Sequence, residues 1–104
     1  MIKEITKKLI EFRNERGWKI FHTEERLATS AHIEAGELAK LFQWGKAPYP
    51  DDVKDEIADT GIYLLYLCEK LGFDFEKIIL EKMEKNAIKY PVGVDHAKEH
   101  GWVK

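Results

Sequence analysis

Apolar positions recur along this chain at helical spacing. Ile2, Ile5, Leu9 and Phe12 would form one stripe on a helix over 2–16, leaving Lys7, Lys8, Glu11 and Glu15 on the wet side. Gly17 follows where left-handed geometry is cheap for a residue without a side chain. The segment GWKIFHT reads as a ring-rich connection, with Trp18, Phe21 and His22. A second helix begins near Thr23, whose hydroxyl can cap free N–H groups, and runs through LATSAHIEAGELAKLFQW. Its small residues Ala28, Ala31, Ala35 and Gly36 allow close approach of a neighbouring helix or a ligand. Gly45, Pro48 and Pro50 end it. The third helix opens at Pro50 and Asp51 and reaches about Leu71, with Gly72 as its stop. Its later half, GIYLLYLCEKL, is apolar around much of its circumference, as expected of a central helix or one buried against another chain. Asp74 can cap a fourth helix that continues to about Tyr90, turns Ile78, Ile79 and Met83 toward the other helices, and ends at Pro91. A weakly patterned tail over 91–104 remains, partly ordered by Trp102. No stretch alternates apolar and polar residues over a useful length. The expected fold is all-α: a single domain over 1–104, a compact four-helix bundle-like unit completed by dimerisation or tetramerisation.

Composition narrows the partners. A net charge of −2 over 104 residues provides no surface for a nucleic-acid polymer or an anionic membrane. Cys68 is the only cysteine, which excludes an internal disulfide and fits an intracellular setting; it reads as a small core residue. The opening MIKEITKKLIEF is charged and periodic, unlike a signal peptide, and IYLLYL is too short to cross a bilayer. The expected location is cytoplasmic.

The chemistry is concentrated in two acidic pairs. Glu34 and Glu37 lie on the second helix, Glu56 and Asp59 on the third, each pair three residues apart. That spacing sets two side chains about 60° apart around a helix, roughly one turn along. Ile33, Leu38, Leu41 and Phe42 surround the first pair; Ile57, Ile62 and Tyr63 surround the second. Acids among core-forming residues need a cation or hydrogen bonds to compensate them. Oxygen ligands from two facing helices suit Mg²⁺, with Mn²⁺ as a substitute. A solvated charge cluster is the competing reading, because E-x-x-E is common on exposed helices. His22 and His32 do not form H-x-x-x-H, and one cysteine cannot build a thiolate site.

FRNERGWKIFHT, IEAGELAKLFQW, EIADTGIYLLYL and KMEKNAIKYPV, in that order, resemble the MazG-like all-α nucleoside triphosphate pyrophosphohydrolases, and within them the dCTP pyrophosphatase-like branch. The resemblance runs from Phe12 to Val92. It implies an E-x-x-E…E-x-x-D set binding Mg²⁺, here Glu34, Glu37, Glu56 and Asp59. It implies cleavage of a nucleoside triphosphate, such as dCTP, to monophosphate and pyrophosphate. Rings matching Trp18, Trp44 and Tyr63 would enclose the base or sugar, with His22 nearby. Lys82 and Asn86, four apart on one helix face, would meet phosphate or sugar oxygens. Glu37 is the choice for the residue that aligns or deprotonates water. The segment over 44–50 is shorter than the substrate-covering loops of relatives, which implies an open or subunit-shared pocket. Relatives of this kind are dimers or tetramers. The rival to an enzyme is a non-catalytic helical dimerisation or nucleotide-sensing module; a second enzymatic rival would release orthophosphate.

Overall fold

The computed structural model describes residues 1–102, so the last two residues of the expected tail lie outside the described residues. In chain order come α1 (Ile2–Glu15), a 3₁₀ turn (Trp18–Phe21), α2 (Glu24–Lys40), α3 (Pro50–Leu71), α4 (Phe75–Lys89) and α5 (His96–Glu99). No strand occurs among the described residues. The fold is an all-α helical bundle, and it divides into two units, Met1–Asp74 and a second that begins at Phe75.

In the first unit α2 packs along α3, and α1 lies against α3. The helix ends follow local chemistry. Gly17 and Gly72 sit at φ 66° and 74°, the left-handed stops after α1 and α3. Thr23 Oγ1 accepts a hydrogen bond from the Arg26 amide at 3.2 Å, capping α2. Pro50 occupies the first turn of α3, where its missing N–H costs nothing.

One boundary differs from expectation. α2 ends at Lys40 rather than near Trp44, because the chain tightens there. The Leu41, Phe42 and Gln43 amides donate to carbonyls three residues back. GWKIFHT connects α1 to α2 and is wound over Trp18–Phe21 into the 3₁₀ turn, with the His22 amide donating to Lys19 O at 3.1 Å.

The core of the first unit is small. Leu27 (2% exposed), Ala31 and Tyr66 are fully buried, and with them Arg13. The expected α1 stripe is only partly inside. Ile5 and Phe12 are exposed, and Phe12 carries the Arg16 guanidinium 3.4 Å from its ring centroid and the edge of Trp18 at 5.7 Å. On α3, Tyr66 alone is fully buried, while Ile57, Leu64 and Leu71 are exposed. Gly36 is not needed for helix packing, because a Cβ built there meets nothing within 4 Å.

In the second unit Ile79 and Met83, expected to face other helices, are exposed, as are Leu80 and Ile88. The tail folds back on the end of α4. Tyr90 packs against His96 (5.4 Å between centroids), His100 (5.2 Å) and Trp102 (5.7 Å). Asp95 caps α5 by accepting from the Lys98 amide, and His96 Nε2 lies 2.6 Å from Pro91 O. His96 and His100 thus hold the H-x-x-x-H spacing that His22 and His32 lack. Their rings stack 6.2 Å apart as part of this cluster. Among the described residues no helix is long and apolar enough to cross a membrane.

Leu27→Ala is expected to lower the unfolding free energy by about 2–5 kcal/mol, read from urea melts at fixed protein concentration. Gly36→Ala should instead raise it, by about 1 kcal/mol, since helix propensity improves and nothing is displaced.

Candidate metal centre and adjoining cavities

The α2–α3 packing brings three of the four expected acids together. One carboxylate oxygen from each of Glu34, Glu56 and Asp59 lies within 4.8 Å of the others. This is a cluster able to coordinate a divalent cation. Glu34 and Glu56 are half-buried and Asp59 is exposed. Glu37 stands outside this triplet. Its carboxylate lies 3.9 Å from Lys40 Nζ, although it remains near enough to act electrostatically on Glu56. The apolar neighbours named from the sequence are not a closed shell, since Ile33, Phe42 and Ile57 are exposed.

Crowding like charges has a measurable consequence. The Glu56 carboxyl is pushed up from 4.5 to about 7. The first cause is a hydrogen bond with Glu34, then burial, then the charges of Glu34, Asp59 and Glu37. Glu56 therefore holds its proton more tightly than an ordinary carboxyl. Glu56 Oε2 is shut away from solvent and has no hydrogen-bond partner, which leaves a coordination position open.

Two cavities of the first unit share part of their lining, and one of them reaches this centre. One, of about 460 Å³, lies between α1 and α3, with Leu9, Phe12, Trp18, Tyr63 and Tyr66 in its lining. Asp59 lines it too, so the carboxylate cluster and an aromatic cavity share a side chain. The other, of about 580 Å³, lies on the α2 side, with Phe21, Arg26, Thr29 and Ser30 in its wall. Trp18, His22 and Tyr63 belong to both and form the partition between them. The His22 imidazole is pushed below its ordinary range, first by burial and then by the positive charge of Arg13, with Glu69 opposing.

Of the residues expected to bind substrate, Trp18, His22 and Tyr63 thus converge. Trp44 does not join them: it sits in the turn after α2, 81% exposed, and lines neither cavity. Lys82 and Asn86 lie on α4 in the second unit, both exposed. Cys68 is half-buried, and burial pushes its thiol up, as befits an inert packing residue. Sequence reasoning passed over Arg13 and Tyr66. An arginine and a tyrosine on amphipathic helices read as wet-side or ordinary core residues, and only their mutual burial marks them.

Residues 29–103 match the family model described as the MazG-like family. The bovine protein named dCTP pyrophosphatase 1 is 34% identical over 101 residues, covering 88% of this chain and 60% of that one. Its human counterpart is 32% identical over 100 residues, covering 86% and 59%. The chain spans about three-fifths of the length of these curated relatives. The crystal structure of a pyrophosphatase from Archaeoglobus fulgidus superposes with a TM-score of 0.77 at 40% identity, covering 86% of this chain and 91% of that one. The match over 29–103 covers well over half of the chain, and the chain belongs to the MazG-like family.

Proposed function

We propose that this protein is a nucleoside triphosphate pyrophosphohydrolase that yields a nucleoside monophosphate and pyrophosphate. The observation that carries this reading is Asp59, which belongs both to the carboxylate triplet and to the lining of the aromatic cavity. A ring held in that cavity would leave its phosphate chain beside the acids, where a cation can lie between them. The likeness to proteins named as dCTP pyrophosphatase and as a pyrophosphatase supports the same reaction, with a pyrimidine deoxynucleotide such as dCTP as the first substrate to try.

The donor set fits Mg²⁺ or Mn²⁺. It is all oxygen, it carries surplus negative charge that a proton relieves in the cation-free state, and Glu56 Oε2 lacks a partner. Glu34, Glu56 and Asp59 would hold the ion, with Glu37 completing or flanking the set. When bound, such an ion supplies charge neutralisation for the phosphates and a fixed orientation for them. The rest falls to the chain. Trp18 and Tyr63 stack the base or sugar, and His22 offers a ring edge for hydrogen bonding. Trp44 is assigned to the base, and Lys82 and Asn86 to phosphate or sugar oxygens, on the family resemblance of their segments. In the reaction, a water oxygen bonds to the α-phosphorus while the bond from that phosphorus to the bridging oxygen breaks. The pyrophosphate leaves with that oxygen. Glu37 takes the water's proton, a role open to it because it stands outside the triplet.

The exposed apolar residues of α1 and α3 fit burial between copies of this chain, and we read the protein as a cytoplasmic homodimer or homotetramer of one MazG-like domain.

The deciding experiment is a panel of canonical and modified nucleoside triphosphates with Mg²⁺, with pyrophosphate separated from orthophosphate. Pyrophosphate and monophosphate are expected. Orthophosphate would point to a different bond, and nucleotide binding without any product would point to a sensing module. Glu37→Gln should lower kcat at least about 100-fold, the usual scale of a lost general base, with its circular dichroism spectrum unchanged.

The Glu56 shift makes a second prediction about the cation-free protein. Its folded-state carboxyl titrates above the ordinary 4.5 of the unfolded chain, so between 4.5 and about 7 the native state binds more protons. Its contribution to stability is therefore present in full below 4.5 and is lost as pH rises through 7. Tm of the EDTA-treated protein should fall over that window relative to Glu56→Gln, and Mg²⁺ should remove the difference.

A further inference from the structure

Arg13 is the fully buried charged residue among the described residues, at 4% exposure. Its Nη1 donates to Glu69 Oε2 at 3.0 Å, its Nε donates to Asn14 Oδ1 at 3.2 Å, and its Cζ lies 6.0 Å from the Tyr66 ring centroid. Tyr66 is held a second time, by its hydroxyl, which donates to Leu9 O at 2.7 Å. Against this fixed ring lies His22, 4.7 Å away between centroids and tilted by 55°. His22 lines both cavities, and its Nδ1 is shut away from solvent with no hydrogen-bond partner.

These observations leave two questions with one answer. An ion pair whose arginine is buried while its glutamate stays one-third exposed adds little net stability, because desolvation of the guanidinium offsets most of the attraction, so its presence calls for another role. A ring nitrogen without a partner gains no orientation from its own hydrogen bonds, so His22 must be oriented by what packs on it. Tyr66 is that surface, and Arg13 with Glu69 is what keeps Tyr66 in place.

We propose that Arg13, Glu69 and Tyr66 are positioning residues that hold the His22 imidazole in the partition between the two cavities, and so set how tightly the ring of a bound nucleoside is gripped. This rests on the nucleoside triphosphate reading above. None of the three touches the reacting phosphate; Arg13 and Glu69 act through Tyr66, which packs on His22 and itself lines the cavity of about 460 Å³.

The test is a double-mutant cycle on the full chain, read as Kd for a non-hydrolysable α,β-imido nucleoside triphosphate by calorimetry, and as KM against kcat for the substrate. Arg13→Met keeps the apolar stem, and Glu69, whose side chain is one-third exposed, can then hydrate. Arg13→Met and Tyr66→Phe should each raise Kd and KM about fivefold, the scale of one neutral hydrogen bond, with kcat unchanged. His22→Ala should do the same. Combining Arg13→Met with His22→Ala should cost no more than His22→Ala alone, because both remove the same interaction. Additive losses, or an Arg13→Met protein that folds and binds as tightly as wild type, would overturn the proposal. In ligand-free protein the ¹⁵N imidazole resonances of His22 should shift in both single variants; unshifted resonances would overturn it as well. Should Arg13→Met fail to fold, the conservative Tyr66→Phe decides by the same readouts. A wild type that binds the analogue but releases no pyrophosphate would sink the hydrolase reading and leave the binding cycle to judge this one. A wild type that binds no nucleotide would sink both.

Discussion

Repulsion among the carboxylates of α2 and α3 is the constraint on which the rest of the site depends. Glu34, Glu56 and Asp59 are brought within 4.8 Å by helix packing, not by any attraction of their own. Three negative charges at that spacing cannot all stay ionised without compensation. Glu56 answers by holding its proton up to about 7. On the proposed reading a divalent ion would be the other answer, compensating all three groups at once and meeting the oxygen of Glu56 that has no partner.

The scaffold that supplies this packing has few fully buried residues. Leu27, Ala31 and Tyr66 form its interior in the first unit, with Arg13 among them. Aliphatic side chains on α1 and α3 remain in reach of water. Such an arrangement buries little apolar surface for its length, and hydrophobic stabilisation scales with the area removed from water. The thin interior leaves room for the cavities of the first unit, because a cleft and a filled core compete for the same side chains.

His22 shows how the two halves of the site are joined. It sits in the partition between the cavities, rests on Tyr66, and is kept low in its titration by burial and by Arg13. A neutral ring in that state carries one donor and one acceptor nitrogen, of which Nδ1 is shut away from solvent. On the proposed reading, charge handling falls to the acidic centre, and shape and edge recognition to the aromatic residues that line both cavities. Asp59 belongs both to the triplet and to the wall of the cavity between α1 and α3.

The amino-acid sequence by itself determined the helices and most of their ends. Gly17, Thr23, Pro50 and Gly72 act through geometry and hydrogen bonds within one turn of themselves, so their effect is legible from neighbours alone. It also determined the acidic pairs, since three-residue spacing on a helix needs no tertiary information. The end of α2 at Lys40 was not legible, because a tightening to 3₁₀ bonds alters no residue pattern. Only the tertiary structure decided which acids meet. Spacing treats Glu34 and Glu37 alike, but the rotation of α2 against α3 turns one into the cluster and leaves the other beside Lys40. The same holds for Arg13, Glu69 and Tyr66, which are separated by more than fifty residues across the pair that buries them. Burial and charge pairing arise between elements, and no local pattern along the chain encodes them.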